Sequence, residues 1–168
     1  MTLRREDQRG MAGVEVLPFG VLVFVVGTLL VAFAWGVVDA KVAVSAAARE
    51  AARAYVESNV RVAGDTAAAE AAGADAARHA VADQGRRSGD PPLHVSFAVD
   101  PLSGEPGFAR CNLVTVTAVY KVPVFNLPWA RRAPLFYATT ARHREVVDPL
   151  RSGVASDPRG EGATCNAA

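Results

Sequence analysis

Residues 16 to 38 form a run of 23 residues without a charged side chain, and Thr28 carries its only hydroxyl. A helix of that length rises about 34 Å, enough to cross a hydrocarbon layer of about 30 Å. A soluble protein would have to surround such a helix on every side, and a chain of 168 residues has too little left over to do so. The run therefore predicts one transmembrane helix, preceded by a short leader and followed by a domain. Arg4, Arg5 and Arg9 stand before it against Glu6 and Asp7, and Lys41, Arg49 and Arg53 follow it, so the positive-inside count alone is a tie. Long C-terminal domains translocate largely regardless of charge, which favours a cytoplasmic N-terminus and an extracytoplasmic C-terminal domain.

Immediately before the run stands Arg9-Gly10-Met11-Ala12-Gly13-Val14-Glu15. A carboxylate at the edge of an apolar span is costly. Glu15 either closes the solvated flank or is kept there for a purpose. With basic residues before Gly10 and an acid five residues after it, the segment resembles the class III signal of type IV pilins and pseudopilins. Together with Ala46-Ala47-Ala48-Arg49-Glu50-Ala51-Ala52-Arg53, it most resembles the TadE family of pilus assembly proteins. The likeness is closest over residues 9–58 and looser beyond, where Cys111, Val114-Thr115-Val116-Thr117 and Val147-Asp148-Pro149 share it. Met11 and Val16 stand where Ser and Phe are commoner.

The resemblance implies cleavage after Gly10 by a prepilin peptidase, with Met11 as the new N-terminus and Glu15 as the acid that sets subunit register. It implies a minor, non-enzymatic pseudopilin or assembly protein of a tight-adherence pilus or related secretion system. Residence would be in the bacterial cytoplasmic membrane, with entry into the pilus as a further step. Its partners would be the lipid bilayer, the prepilin peptidase, and other pilins, pseudopilins or pilus assembly components.

The residues offer little other chemistry. Of the chain, 51% is hydrophobic but only 7% aromatic, so Ala and Val carry the apolar content, as suits Ala-rich helices and a modest β core. A net charge of +1 with no basic stripe gives no reason to expect nucleic acid. No G-x-S-x-G, HExxH, phosphate loop or EF-hand occurs, and His79, His94 and His143 are scattered, so we expect no catalytic residue, metal or cofactor. Cys111 and Cys165 lack CxxC spacing. They either pair in an oxidising compartment or remain two thiols.

Taken in order, the chain predicts an α+β, pilin-like fold. Residues 1–10 form a cytoplasmic leader and 11–60 a transmembrane and extended N-terminal helix. The extracytoplasmic α+β head covers 61–150, and 151–168 a flexible tail. Pro18 either bends a helix running from Met11 or sits in the first turn of one starting near Leu17. Gly20, Gly27 and Gly36 make no GxxxG. Val44, Ala47, Ala48, Ala51 and Tyr55 fall on one helical stripe. Gly64 then breaks the helix, and Asp65 or Thr66 caps a second, Ala-rich one to about Gln84, with Gly73 allowing close packing on the first. From Leu93 the period changes to two. Leu93, Val95, Phe97 and Val99 mark one strand, residues 113–122 a second with Val114, Val116, Ala118 and Tyr120 inward, and 135–146 a third, in an antiparallel meander. Between the last two, Phe125, Leu127, Trp129, Arg131 and Arg132 either fold back on the head or dip into the membrane interface. Two rival readings remain from sequence. Ala32-Phe33-Ala34 has the A-x-A form of a signal peptidase site, giving a protein secreted after cleavage behind Ala34, or the chain is an uncut, membrane-anchored adaptor.

Overall fold

The computed structural model describes residues 11–59, 66–86, 93–102, 104, 106–123, 136–150 and 165, with the backbone alone for 11–15 and 123. Two helices, α1 (Met11–Glu57) and α2 (Ala67–Asp83), are followed by three strands, β1 (His94–Asp100), β2 (Leu113–Pro123) and β3 (Phe136–Val146). The architecture is α+β, and the strands pair in the antiparallel order β1-β2-β3. α1 runs through Pro18 as one helix from Met11, so it does not start near Leu17.

The chain divides into two compact units, one ending at Val38 and the other starting at Asp39. The boundary thus falls inside α1, and residues 39–57 belong to the head. Their sequence explains why. Ala40, Ala43, Val44, Ala47, Ala48, Ala51, Ala52 and Tyr55 are all at most 1% exposed, a stripe wide enough to bury one side of a helix. Charged Arg49, Glu50, Arg53 and Glu57 keep to the exposed side, where Arg53 donates to the Glu57 carboxylate at 2.9 Å.

Small side chains set the spacing within the head. α2 turns Ala69, Gly73, Ala77 and Val81 inward at every fourth position. A Cβ on Gly73 would lie 2.9 Å from the Ala51 carbonyl oxygen of α1 and 2.8 Å from the Phe97 ring of β1. Helix, helix and strand therefore meet at that glycine. Beside it, the Tyr55 ring stacks on Phe97 at 5.4 Å and meets Phe108 at 5.6 Å. Such ring pairs contribute about 0.5–1.5 kcal/mol each beyond the area they bury. Thr66 occupies the α2 N-cap position without a side-chain capping bond, while its carbonyl accepts from Glu70 N at 2.8 Å.

The sheet has one covered face. Val114, Val116, Ala118 and Tyr120 of β2 and Thr139 and Ala141 of β3 are buried, whereas Thr115, Thr117, Arg142 and Arg144 occupy the opposite parity. The register pairs Phe97 with Val116 and Val116 with His143. Two contacts give α1 and β3 the same direction: Lys41 Nζ donates to the Thr140 carbonyl, and farther along Tyr55 meets Phe108 in the connection that binds Val147, just past the end of β3. The β1–β2 connection closes the far end. Asn112 Nδ2 donates to the Gly107 carbonyl at 2.9 Å, and Val147 exchanges backbone bonds with Cys111 and Asn112 at 3.0 Å each.

Two predictions follow from this core. Gly73→Ala gains up to about 1 kcal/mol of helix propensity, but overpacking against the Ala51 backbone costs about 1–3 kcal/mol. The expected net loss of about 1–2 kcal/mol is read from denaturant unfolding of the head's circular dichroism in detergent. The second concerns Tyr55, whose hydroxyl is buried without a hydrogen-bond partner among the described residues. Burial, aided by the charge of Glu70, pushes its phenol from 10.0 up to about 12. A raised value favours the neutral phenol in the folded state, so this stabilisation is complete below the unfolded value and is lost as pH rises through the folded one. Tyr55→Phe should abolish that alkaline loss and cost little near neutral pH, since no hydrogen bond is broken. Phenolate absorbance and unfolding followed together across that window check both points.

Candidate membrane segment and processing site

Val, Leu and Phe supply an apolar surface all round residues 16–38, Ala and Gly fill most of the remaining positions beside Pro18, Thr28 and Trp35, and no charge interrupts them. Among the described helices, α1 is the one long and apolar enough to cross a membrane. Its apolar side chains lie open within their unit: Phe24 is 74% and Trp35 75% exposed. In water such exposure is unfavourable by about 25 cal/mol for each Å² of apolar surface, whereas a hydrocarbon solvent removes that cost. A helix also satisfies its own backbone groups, the condition for crossing a region without water. The Thr28 hydroxyl meets the same requirement by donating to the Phe24 carbonyl at 2.8 Å. Above Gly20 the surface has a shallow hollow walled by Val16, Leu17, Val21 and Phe24.

Charge resumes at once beyond Val38. Asp39 Oδ2 accepts from Arg86 Nη2 at 2.6 Å and from Arg86 Nε at 3.1 Å. The arginine is mostly shielded, at 18% side-chain exposure against 47% for the aspartate. At such partial exposure an ion pair contributes about 1 kcal/mol or less, yet it joins the first residue of the head to the chain leaving α2. Lys41, two residues on, reaches β3 at Thr140.

The candidate residues divide sharply in what the structure says of them. Gly10 lies outside the described residues, as do Phe125, Leu127, Trp129, Arg131 and Arg132 of the expected interface loop. Met11 and Glu15 lie on the helical backbone of α1. Cys111 and Cys165 are joined in a disulfide with their Cα atoms 5.2 Å apart. Cys111 holds a left-handed backbone with φ of 64°, uncommon for a residue with a Cβ, and its N–H donates to the Val147 carbonyl. The disulfide therefore holds Cys165 at the start of β2. His79 and His94 are exposed and His143 half-buried, on three different elements. Among the described residues no group of three or more His, Cys, Asp and Glu converges as metal ligands do.

The Asp39–Arg86 pair and the exposed aromatic pair Phe136–Tyr137 escaped sequence reading. The first joins positions 47 apart with no local pattern to link them. The second had a weak signal in two adjacent aromatics at the start of a strand. Compared with known proteins, the chain matches no family model, no curated sequence and no solved structure. Its function is therefore argued from its own residues.

The disulfide closes a sequence separation of 54, worth about 4 kcal/mol in the chain-entropy model. Cys165→Ser should lower unfolding stability toward that amount. It should also let protease trim the tail without prior reduction, whereas the unmodified protein should be trimmed only after reduction. Intact mass after brief proteolysis reads the difference.

Proposed function

We propose that the protein is a non-enzymatic, minor pseudopilin or assembly protein of a tight-adherence pilus or related secretion system. In this reading residues 16–38 span the bacterial cytoplasmic membrane, with the leader cytoplasmic and the head extracytoplasmic. A prepilin peptidase removes the leader after Gly10. The observation that carries the reading is the continuity of α1, which runs unbroken from Met11 to Glu57. One helix thus joins the first residue of the proposed mature chain, the apolar span and the buried stripe of an α+β head. The sequence around the cut supports it independently, with Arg9-Gly10 before and Glu15 five residues after the glycine.

Cleavage gives Glu15 its role. Met11 then bears a free amine whose reference pKa of about 7.7–8.0 keeps it mostly cationic near neutral pH. Glu15 lies about one helical turn farther along. In a low-dielectric surrounding an isolated carboxylate is costly and an ion pair correspondingly attractive. Glu15 on one subunit and the amine on the same or a neighbouring subunit form the pair that sets register among pilus components. The rival cut behind Ala34 would fall in the middle of α1, which has no break there.

The intact mass of the protein from membrane fractions tests this directly. The expected mature chain lacks residues 1–10, and replacing Gly10 by a bulky residue, as in Gly10→Phe, leaves a full-length precursor that still fractionates with membranes. A mature N-terminus at Trp35 would instead select the signal peptidase reading, and an uncut wild-type chain the anchored adaptor.

A further inference from the structure

We propose that the end of the head at which α1 enters it is a membrane-contact surface, with Phe136 and Tyr137 of β3 seated in the phospholipid headgroup layer. The proposal rests on the reading of residues 16–38 as a bilayer span.

Geometry within the head identifies that end. α1 enters the head at Asp39, and Lys41 binds β3 at Thr140. Farther along, Tyr55 meets Phe108 of the β1–β2 connection, which binds Val147 just past the end of β3. α1 and β3 thus run in one direction, and the start of β3 lies beside the start of the head's helix. Tyr137 is three positions before Thr140, about 10 Å back along the strand, toward the end of the head at which Asp39 stands. α2 returns antiparallel, since Gly73 in its first half meets the Ala51 carbonyl of α1 while Arg86 beyond its end binds Asp39. Antiparallel pairing then brings the first residue of β1 and the last of β2, with Lys121, to the same end.

The head's exposed large aromatics lie at one end. Phe136 and Tyr137 are 46% and 47% exposed, and they are the head's exposed large aromatics among the described residues. Exposed Val42 of α1 lies at their end, beside Lys41, whereas Leu102, Val146 and Leu150 lie at the opposite one. Tyr137 shares the parity of buried Thr139 and Ala141, and Phe136 that of exposed Ala138 and Thr140. Rings therefore stand on both faces of the sheet at its rim. Single exposed apolar residues need no explanation. Two adjacent rings at the end where the chain leaves for the bilayer match the aromatic belt of membrane proteins, in which amphipathic rings sit at headgroup level. Charge agrees. Asp39 and Arg86 neutralise each other, and Lys41 and Lys121 outnumber the exposed Asp83 at the end of α2, leaving a small excess of positive charge among the described residues of this end, which suits anionic lipid.

The test uses the full chain reconstituted in vesicles of phosphatidylcholine and phosphatidylglycerol, with lipids brominated high in the acyl chain as the quencher. Trp35→Phe and Trp129→Phe together remove both native indoles. In that background Tyr137→Trp, and separately Phe136→Trp, should lose about half or more of their emission to brominated lipid, while Leu150→Trp at the opposite end should lose little. Trp129→Phe alone leaves Trp35 to report on the span. If Trp35 escapes quenching, the span reading fails and the contact surface with it. If Trp35 is quenched while both rim variants stay bright, the contact surface alone is overturned. Equal quenching at positions 137 and 150 would also overturn it, because the head would then lie on the bilayer without preference for this end.

Discussion

The head depends on one close approach, between the Ala51 carbonyl of α1 and Gly73 of α2, with the Phe97 ring of β1 filling the space beside them. Two helices can lie this near only where neither carries a side chain larger than a methyl at the crossing. The flanking Ala47, Ala48, Ala69 and Ala77, all fully buried, extend the condition along both helices. Tight packing of small residues gives little hydrophobic stabilisation per side chain, since each buries little area. The head recovers it with its few rings: Tyr55, Phe97 and Phe108 form one aromatic cluster at the same level. That is how a chain with only 7% aromatic residues builds a three-layer contact.

α1 changes character part-way along its length. From Val16 to Val38 it carries no charged side chain, and its large apolar side chains lie open within their unit. From Asp39 onward it is amphipathic, with alanines inward and alternating charges outward. The change takes two residues. Asp39 and Lys41 are the first charged side chains after the apolar run, and each is bound to a different element of the head, Asp39 to the chain after α2 and Lys41 to β3. Charges that would otherwise be merely tolerated beside an apolar span thus tie the helix to the domain it serves. At the other end of the sheet, a covalent bond joins residue 165 to the turn before β2. The head is held at both ends by contacts that its core alone does not provide.

Most of the fold was legible along the chain because its signals are local. Periods of 3.6 and 2 announce the helices and strands. The burial of Val44, Ala47, Ala48, Ala51 and Tyr55 on one side of α1, and of Val114, Val116, Ala118 and Tyr120 on one side of β2, is the pattern those periods predict. Pro18 was ambiguous because a proline at the fourth position after Val14 is compatible both with an early kink and with a late helix start, and neighbouring residues do not choose. The disulfide was open for a different reason: a cysteine pair's spacing says nothing about whether its Cα atoms approach.

By itself the sequence determined the apolar span, the helix–helix–strand order and the small-residue face at Gly73, since each is written in residues within a turn or two of one another. Only the tertiary structure decided that the compact head begins at Asp39 inside α1, that Arg86 returns to neutralise that aspartate, and that Phe136 and Tyr137 share an end with Lys41 and Lys121. The Asp39–Arg86 and Lys41–Thr140 contacts join positions 47 and 99 apart. They follow from the antiparallel return of α2 and the common direction of α1 and β3, which are settled by packing across the core and leave no periodicity in the chain.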